Sequence, residues 1–196
     1  FDYRGRAYPI PAFLTPQDTD FGKALIRFSN ESPVTESANT WLAFQVATTF
    51  GLDKATMIER IQWVDRNRSL ISKIATDPIG SLPEWEGVDE PWQFMAACHE
   101  YHHCCIECDK PTTGLMIAVD ATCSGLQILA GLAKDRSTAE LVNVCPGDQP
   151  SDAYKAVAEE AKKYVPMELH HWLTRKTTKR TVMTIPYNAT KSSSRI

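Results

Sequence analysis

The chain has 196 residues, a formal net charge of −3, and a composition of 43% hydrophobic and 23% charged residues. A chain of this length can bury one full hydrophobic core, or one core and part of a second. Its acidic balance argues against a protein that coats nucleic acid through general positive charge, and no apolar run is long enough to cross a bilayer. The chain begins inside a charged motif at Phe1 and stops in a Ser-rich stretch at Ile196, so we expect both ends to be cut from a longer protein.

The first ninety residues predict helices joined by proline-containing segments. The first thirty residues are predicted to be extended or irregular. A helix is predicted over residues 37–50, ended by Gly51. Thr56 and Glu59 have the spacing of a capping box that begins the next helix. Residues 77–91 are rich in proline, glycine and acidic side chains, which predicts a loop.

A cluster of metal-compatible residues follows on a helix whose first turn is suited to Pro91. The pairs His99/His102 and Cys105/Cys108 have spacings found at zinc sites. The same segment is also typical of an amphipathic helix, on which cysteines are ordinary core residues. A structural zinc site and a packed helix therefore both stay open, and irregular cysteine spacing indicates reduced thiols in an intracellular protein. The full cluster is His99, His102, His103, Cys104, Cys105 and Cys108, and the apolar stripe is Phe94, Cys98, Tyr101 and Cys105.

A short apolar run, Leu-Met-Ile-Ala-Val at residues 115–119, predicts a buried strand that ends at Asp120. A carboxylate fixed at the end of a strand suits Mg²⁺, which prefers oxygen ligands and is held by one or two carboxylates together with phosphates. Asp120 could equally cap the helix predicted to begin near Ser124. That helix is predicted to bury the face formed by Leu126, Leu129, Ala130 and Ala133.

Two further helices are predicted, over residues 151–165 and 168–185. From Leu169 onward the chain has no Asp or Glu, which concentrates positive charge on the last helix and suits a polyphosphate or nucleic-acid site. The inward face of the first of these helices is predicted to be Ala153, Val157, Ala161 and Tyr164. The basic residues from Leu169 onward are Arg175, Lys176, Lys179, Arg180, Lys191 and Arg195.

The spacing along the last helix predicts a nucleotide-binding face. Arg175, Lys179 and Met183 recur in steps of four and share one helix face. A lysine near an arginine can hold a triphosphate and neutralise charge that moves onto the leaving pyrophosphate. Tyr187, eight residues past Lys179, could adjoin the sugar and base, and a solvated basic face is the alternative.

The chain opens with Arg4-Gly5-Arg6 within Asp2-Tyr-Arg-Gly-Arg6. Two arginines around a glycine allow close backbone approach and bidentate contacts with phosphate. Taken alone, this is a weak indication, because Arg-Gly-Arg occurs in many loops.

In this order the motifs resemble those of the single-subunit DNA-directed RNA polymerases of bacteriophages and mitochondria. Asp2-x-x-Gly-Arg6 resembles the family motif that contacts the template and the hybrid. Val-Asp-Ala-Thr-Cys-Ser-Gly-Leu-Gln at 119–127 is similar to motif A, and residues 175–187 resemble motif B, the helix that receives the incoming nucleotide.

The resemblance implies roles for individual residues near the reacting groups. Asp120 would bind two catalytic Mg²⁺ ions, with the backbone carbonyl of Ala121 as a further ligand. Lys179 would hold the triphosphate and act on the departing pyrophosphate. Tyr187 would help to select ribose over deoxyribose.

The resemblance also implies a wider binding surface. Arg175, Arg180 and Met183 would contribute to nucleotide binding on the same helix, and Tyr154 in Ser-Asp-Ala-Tyr matches a further active-site tyrosine. Arg4, Gly5 and Arg6 would contact the template or hybrid.

The implied fold is α+β and predominantly helical, the palm and partial fingers of a right-hand polymerase. Residues 1–136 would form a palm-like region with a helical insertion, and 137–196 the start of the fingers. The implied reaction transfers a nucleotide from an NTP to the 3′-hydroxyl of RNA by a two-metal mechanism. The implied partners are a DNA template, nascent RNA and NTPs, with no membrane. The full-length enzyme would be monomeric, in a phage host's cytoplasm or in a mitochondrion.

The sequence departs from the family pattern at several positions. Ala121 stands where glycine is usual, Ile128 where histidine is frequent, and Asn188 where glycine commonly follows the motif B tyrosine. Asn188 is compatible with a similar turn, because asparagine tolerates left-handed backbone. The His-Asp pair of motif C does not occur in these 196 residues, so we expect this segment alone neither to fold fully nor to polymerise.

Three alternatives remain from the sequence, one of which is a polymerase gene fragment without activity. A related DNA polymerase is disfavoured, because its motif A usually carries a glutamate shortly after the aspartate and residues 122–127 contain none. A non-enzymatic module stabilised by zinc at residues 99–108 is the third.

Overall fold

The computed structural model describes residues 1–2, 5–119, 121–147 and 149–190. The chain divides into two compact units, Phe1–Ala118 and Val119–Ile196, here called the N unit and the C unit. The described residues are mostly helical, with one two-stranded sheet, so the predicted α+β, predominantly helical class is confirmed. The predicted division after residue 136 and its assignment to palm and fingers stay predictions.

The described part of the N unit contains six α-helices, one π-helical turn and the sheet. The strands β1 and β2 pair antiparallel, with Arg27 opposite Leu115 and Pro33 opposite Thr112. The helices are α1 (Asp20–Ala24), α2 (Glu36–Phe50), α3 (Met57–Arg66), α4 (Arg68–Thr76), α5 (Leu82–Trp85) and α6 (Pro91–Tyr101); the π-helix is His102–Ile106, and the strands are β1 (Arg27–Pro33) and β2 (Thr112–Leu115).

Local signals placed three helices of the N unit well, namely α2, α3 and α6. Helix α2 ends at Phe50, and Gly51 takes a φ of 122° that favours glycine. The Thr56–Glu59 capping box is present, since each side chain accepts a hydrogen bond from the other residue's backbone N–H. Pro91 begins α6 as predicted.

The N unit has a large apolar core. It centres on α2, α4 and α6, and Phe94 of α6 is fully buried with its ring centroid 5.5 Å from that of Phe50. Burial of this apolar surface is the main stabilising contribution. The buried residues are Leu42, Ala43, Val46, Ala47, Val64, Ile71, Ile74, Trp85, Phe94, Ala97, Cys98, Tyr101 and Cys104.

Two buried charged groups in the N unit are fully engaged. The Arg60 guanidinium donates to Thr48 Oγ1 and to the carbonyl oxygens of Asp53 and Ala55. The Glu100 carboxylate accepts hydrogen bonds from Lys110 Nζ at 2.7 Å and Thr113 Oγ1 at 2.7 Å. Such partners are what make burial of an ionised group tolerable.

Three sequence predictions for the N unit are corrected. The first thirty residues, predicted to be extended or irregular, contain helix α1 (Asp20–Ala24), where the Thr19 side chain accepts a hydrogen bond from the Gly22 N–H. The predicted loop over 77–91 contains α5, because Trp85 is buried and its Nε1 donates to the Pro78 carbonyl. The buried strand predicted over 115–119 is wrong beyond Leu115, and Val119 is 73% exposed. Its partner β1 begins at Arg27, opposite Leu115, so β1 offers nothing for residues 116–119 to pair with.

Among the described residues of the C unit, the regular elements are all helices. Helix α9 packs against α10, and α7 packs against α8 and the last 3₁₀ turn. The elements are α7 (Ser124–Ala133), α8 (Arg136–Leu141), α9 (Ala153–Lys162), a 3₁₀-helix (Met167–Trp172), α10 (Arg175–Thr184) and a second 3₁₀-helix (Ile185–Tyr187).

The helix predicted over 168–185 is wrong as a single element. The chain forms a 3₁₀-helix, leaves helical geometry at Leu173 and begins α10 at Arg175. Thr174 is the N-cap of α10: its Oγ1 accepts from the Thr177 N–H, and Thr177 Oγ1 accepts from the Thr174 N–H. These threonine bonds replace helical bonds of the backbone at this point, which starts a new helix.

The predicted inward faces of two C-unit helices are partly wrong. In α9, Ala153 is buried as predicted, Val157 is exposed, and Tyr154 and Ala158 form the rest of the buried face. Tyr164 lies beyond the end of α9 and is exposed. In α7, Ala130 is the one buried member of its predicted face. The C unit's core cluster has five buried residues, Cys123, Val142, Ala153, Tyr154 and Val182. Among all described residues, no helix is long and apolar enough to span a bilayer.

Candidate active site

Helix α10 presents a basic surface at its N-terminal end. Arg175, Lys176, Lys179 and Arg180 are exposed, and Val182 is the buried residue of the helix. Cationic side chains in the first turn are repelled by the positive end of the helix dipole. An anion bound there would relieve that repulsion.

Tyr154 of α9 forms the floor beneath this basic surface. Its side chain is buried, with 6% exposure. The Arg175 guanidinium carbon lies 5.4 Å and Lys179 Nζ 6.0 Å from the centroid of its ring. The two helices are also joined by a hydrogen bond of 2.9 Å from Thr178 Oγ1 to the Tyr154 carbonyl. The structure thus brings together three of the predicted nucleotide-binding residues, Tyr154, Arg175 and Lys179.

The Tyr154 hydroxyl is held in its neutral form. Burial raises its pKa, and the neighbouring Cys123 side chain raises that pKa further. A neutral phenol is polar but uncharged, so it does not repel an approaching phosphate.

The segment that follows Asp120 contacts α9, α10 and the 3₁₀-helix after α10. Cys123 belongs to the same buried cluster as Tyr154 and Val182. Gly125 lies against the second 3₁₀-helix, Ile185–Tyr187. A Cβ placed on Gly125 would stand 3.0 Å from Pro186 Cβ and 3.4 Å from Tyr187 Cζ. A larger residue at 125 would push these groups apart, so glycine permits the close approach.

The remaining motif B residues line the C-terminal end of the site. Met183 and Tyr187 are exposed, Tyr187 to 70%. Asn188 takes a left-handed conformation, with φ 60° and ψ 36°. The expectation that asparagine would support the turn usually formed by glycine is confirmed at this position.

The predicted metal ligand Asp120 lies outside the described residues, as does Arg4. Ala121, the other predicted ligand, is exposed. The capping role considered for Asp120 falls on another residue, because the N-cap of α7 is Cys123, which has left-handed backbone and makes no side-chain capping bond. One carboxylate and one carbonyl fit Mg²⁺ only together with the oxygens of a bound nucleotide.

The opening motif closes on itself within the N unit. Asp2 Oδ1 accepts from the Arg6 N–H at 3.0 Å, and Asp2 Oδ2 lies 3.4 Å from Arg6 Nε. Gly5 takes a φ of 77°, the conformation that this turn requires. Asp2 therefore orients Arg6 through its backbone N–H and its Nε.

The Cys/His segment is arranged as packing rather than as a metal centre. His102 Nδ1 pairs with Ser72 Oγ, and His103 Nδ1 with Asp109. Burial raises the pKa of Cys105 to about 12 and that of Cys104 to about 11, which disfavours the thiolates that bind zinc. In the described ranges, no three His, Cys, Asp or Glu side chains are grouped to hold a metal.

Asp152 is a site residue that the sequence reasoning missed. Its Oδ2 accepts a 2.6 Å hydrogen bond from Arg175 Nε, and its Oδ1 accepts from the N–H groups of Tyr154 and Lys155. An aspartate directly before an alanine-rich helix is a typical N-cap, so the cap could have been read from the sequence. The ion pair across 23 residues could not.

The chain matches the model of the family described as DNA-dependent RNA polymerase over residues 32–195. It is 37% identical to the mitochondrial DNA-directed RNA polymerase of Neurospora crassa, with 96% of this chain and 14% of the relative covered. It is 31% identical to the mitochondrial DNA-directed RNA polymerase of Mus musculus, covering 100% and 17%. It is 30% identical to T7 RNA polymerase of Escherichia phage T7, covering 83% and 18%.

The chain therefore spans less than a fifth of the length of each of these three relatives. The match nevertheless runs through the site built above, from α7 to α10, and through most of the N unit. The chain belongs to the DNA-dependent RNA polymerase family.

Proposed function

We propose that the chain is the catalytic segment of a DNA-templated RNA polymerase, in which α10 receives the incoming NTP. The observation that carries this proposal is the approach of two motifs far apart in sequence. Cys123, three residues after Asp120, lies in the same buried cluster as Tyr154. Gly125, five residues after Asp120, lies against the Pro186–Tyr187 turn. The sequence segment of the proposed metal ligand is thus anchored to the proposed nucleotide-binding helix.

Lys179 and its neighbours would bind the triphosphate. Lys179 Nζ is exposed and lies over the Tyr154 ring, and Arg175 and Arg180 add positive charge on the same helix. Fixed cations placed where charge develops lower the barrier to transfer. Lys179 would hold the charge of the leaving pyrophosphate and give it a proton.

Asp120 and the Ala121 carbonyl would hold two Mg²⁺ ions together with the phosphates of the nucleotide. When bound, such ions activate the attacking 3′-hydroxyl and stabilise the leaving oxygen. Tyr187, exposed at the end of α10, would contact the sugar and favour ribose. Arg4, Gly5 and Arg6 would contact the template or hybrid.

We further propose that residues 1–136 are palm and 137–196 the start of fingers, and that these 196 residues alone do not polymerise. The activity is therefore tested in the complete polymerase, meaning the full-length protein in which these residues stand. Its partners would be a DNA template, nascent RNA and NTPs.

The test compares two lysines on one helix in templated RNA synthesis. Lys179→Ala is expected to lower kcat/KM for NTPs by about 100-fold or more, the usual effect of removing one group that stabilises developing charge. Lys176→Ala removes the same charge from an exposed neighbour and is expected to change kcat/KM by less than about threefold. Equal losses in the two variants would show that α10 acts only through general charge.

A second comparison separates RNA from DNA synthesis. The unsubstituted enzyme is expected to incorporate ribonucleotides in preference to deoxyribonucleotides, and Tyr187→Phe to reduce that preference while templated synthesis continues. A preference for deoxyribonucleotides in the unsubstituted enzyme would identify a DNA polymerase instead.

A further inference from the structure

We propose that Asp152 is a positioning residue that fixes the Arg175 guanidinium for a nucleotide phosphate. This inference rests on the proposed function, because it assigns Arg175 to nucleotide binding. Asp152 itself would contact no substrate. It would act by setting the direction in which Arg175 presents its terminal nitrogens.

The two oxygens of Asp152 have separate tasks. Oδ1 accepts from the N–H groups of Tyr154 at 3.0 Å and Lys155 at 3.1 Å, which caps the start of α9. Oδ2 accepts from Arg175 Nε at 2.6 Å. Since Oδ1 is anchored to the backbone of α9, the carboxylate has a fixed orientation, and Arg175 is fixed with it.

The contact uses the inner nitrogen of the guanidinium. For Arg175, Nε is the nitrogen that makes a hydrogen bond or ion pair within the part of the chain that the structure describes. The two terminal nitrogens are left to other partners, and together they match a phosphate in bidentate geometry. A lysine could not divide its contacts in this way, because its charge sits on a single nitrogen.

The ring of Tyr154 supports the guanidinium from a second direction. Arg175 Cζ lies 5.4 Å from the ring centroid, and the Thr178–Tyr154 hydrogen bond holds α10 beside the same tyrosine. Arg175 is thus held by a carboxylate and an aromatic face that both belong to the start of α9. An arginine already held in place loses less conformational entropy when a phosphate binds.

The solvent exposure of the Asp152–Arg175 ion pair makes a purely stabilising role a poor explanation of it. The Asp152 and Arg175 side chains are 30% and 43% exposed, and ion pairs with such exposure contribute little to stability. Burial opposes ionisation of Asp152, but the hydrogen bond and charge of Arg175, together with the backbone N–H groups of Lys155 and Tyr154, outweigh it, and the pKa of Asp152 lies below its ordinary value. The carboxylate is therefore ionised at neutral pH and available to orient Arg175.

The experiment uses two variants of Asp152 that separate its tasks, in the complete polymerase with saturating template. Asp152→Asn keeps a good N-cap and loses the charge, and Asp152→Glu keeps the charge and loses the favoured cap. Asp152→Asn is expected to raise KM for NTPs about three- to tenfold, with kcat changed less than about twofold and α9 unchanged in hydrogen exchange. Asp152→Glu is expected to speed exchange in α9 and to raise KM less than Asp152→Asn does.

A double-mutant cycle with Arg175→Gln provides the decisive comparison. If Asp152 acts through Arg175, adding Asp152→Asn to Arg175→Gln causes no further rise in KM. The matched control is Glu140→Gln, which removes the exposed Arg136–Glu140 pair of α8 and is expected to leave KM unchanged.

Besides an Asp152→Asn variant that behaves normally, three further results would overturn the inference. They are an additive effect in the cycle, a KM that falls in Asp152→Asn because a repelling charge has gone, and a KM that follows only the loss of α9 structure. An unsubstituted enzyme that synthesises RNA while Asp152→Asn behaves normally would refute this inference alone. An unsubstituted enzyme without nucleotide incorporation would refute the proposed function as well.

Discussion

The N unit and the C unit differ in what their side chains do. The N unit buries thirteen residues in one cluster, including Phe94, Trp85 and several branched aliphatic side chains. The cluster in the C unit has five residues, and two of them, Cys123 and Tyr154, belong to the candidate site. The larger core of the N unit mainly stabilises its fold, whereas two of the five core residues of the C unit also belong to the candidate site.

The charged residues show the same contrast. In the N unit, Arg60 and Glu100 are buried and their polar atoms are satisfied by neighbouring groups. In the C unit, Lys179 and Arg180 are exposed and make no ion pair among the described residues. Cations that make no ion pair within the described part of the chain are available to a ligand, which is why we propose nucleotide binding in the C unit.

The largest expected effect is loss of the central aromatic residue of the N unit. Phe94→Ala should destabilise α6 by about 3–5 kcal/mol, the usual cost of deleting a fully buried aromatic ring. Hydrogen exchange of α6 peptides in the complete polymerase measures this change. Phe13→Ala, at a position 76% exposed, should change the opening free energy obtained from exchange by less than about 0.5 kcal/mol. Equal effects would mean that Phe94 is not at the centre of this core.

One identical substitution in each unit sharpens the comparison. Val64 and Val142 are both fully buried, and Val→Ala removes the same two methyl groups from each. We expect roughly 2–3 kcal/mol at Val64 and a smaller cost at Val142, because a small core relaxes more readily around a cavity. Local exchange in α3 and around residue 142 reports both values. A larger cost at Val142 would reverse our ranking of the two cores.

The buried carboxylate of the N unit gives a pH-dependent prediction. Burial alone would raise the pKa of Glu100, but hydrogen bonds from Lys110 and Thr113 and the charges of Lys110 and Arg27 outweigh it and lower the pKa. A group with a lowered folded-state pKa stabilises the fold above its unfolded-state pKa and loses that contribution as pH falls through the folded-state value.

Glu100→Gln should therefore destabilise α6 by about 1–3 kcal/mol at neutral pH and remove part of the acid sensitivity. Exchange of α6 measured between neutral and acidic pH tests both statements. Glu107→Gln, on an exposed glutamate, is the charge-matched control. An unchanged pH profile in Glu100→Gln would rule out this network as its source.

The smallest effect concerns the two capping boxes, Thr56–Glu59 in the N unit and Thr174–Thr177 in the C unit. Thr56→Ala and Thr174→Ala should each cost about 1 kcal/mol in their own helix. Only Thr174→Ala should also raise KM for NTPs, because it loosens the start of α10 beside Arg175. A rise in KM for both variants, or for neither, would break the division between a supporting and a binding unit.

Local sequence signals located many of the helix boundaries, but not the long-range contacts. Gly51, the Thr56–Glu59 box and Pro91 each specify a helix end through their own backbone chemistry, and all three predictions are confirmed. The strand over 115–119 failed because an apolar run does not show where its partner strand begins.

The candidate site was predictable in its residue types and not in its supports. Arg175, Lys179 and Tyr154 could be named from motif order, and the structure gathers them. Thr174 interrupts the predicted long helix because its side chain competes for backbone N–H groups. The Asp152–Arg175 pair depends on how α9 packs against α10, and spacing along the chain carries no signal for that packing.

The most direct test of the account is a crystal structure of the complete polymerase with template, primer RNA, an NTP and Mg²⁺. The account predicts that Lys179 Nζ lies about 3 Å from a phosphate oxygen of the same nucleotide whose phosphates share a metal ion with Asp120. A nucleotide bound away from α10, or a metal ion that Asp120 does not touch, would contradict it.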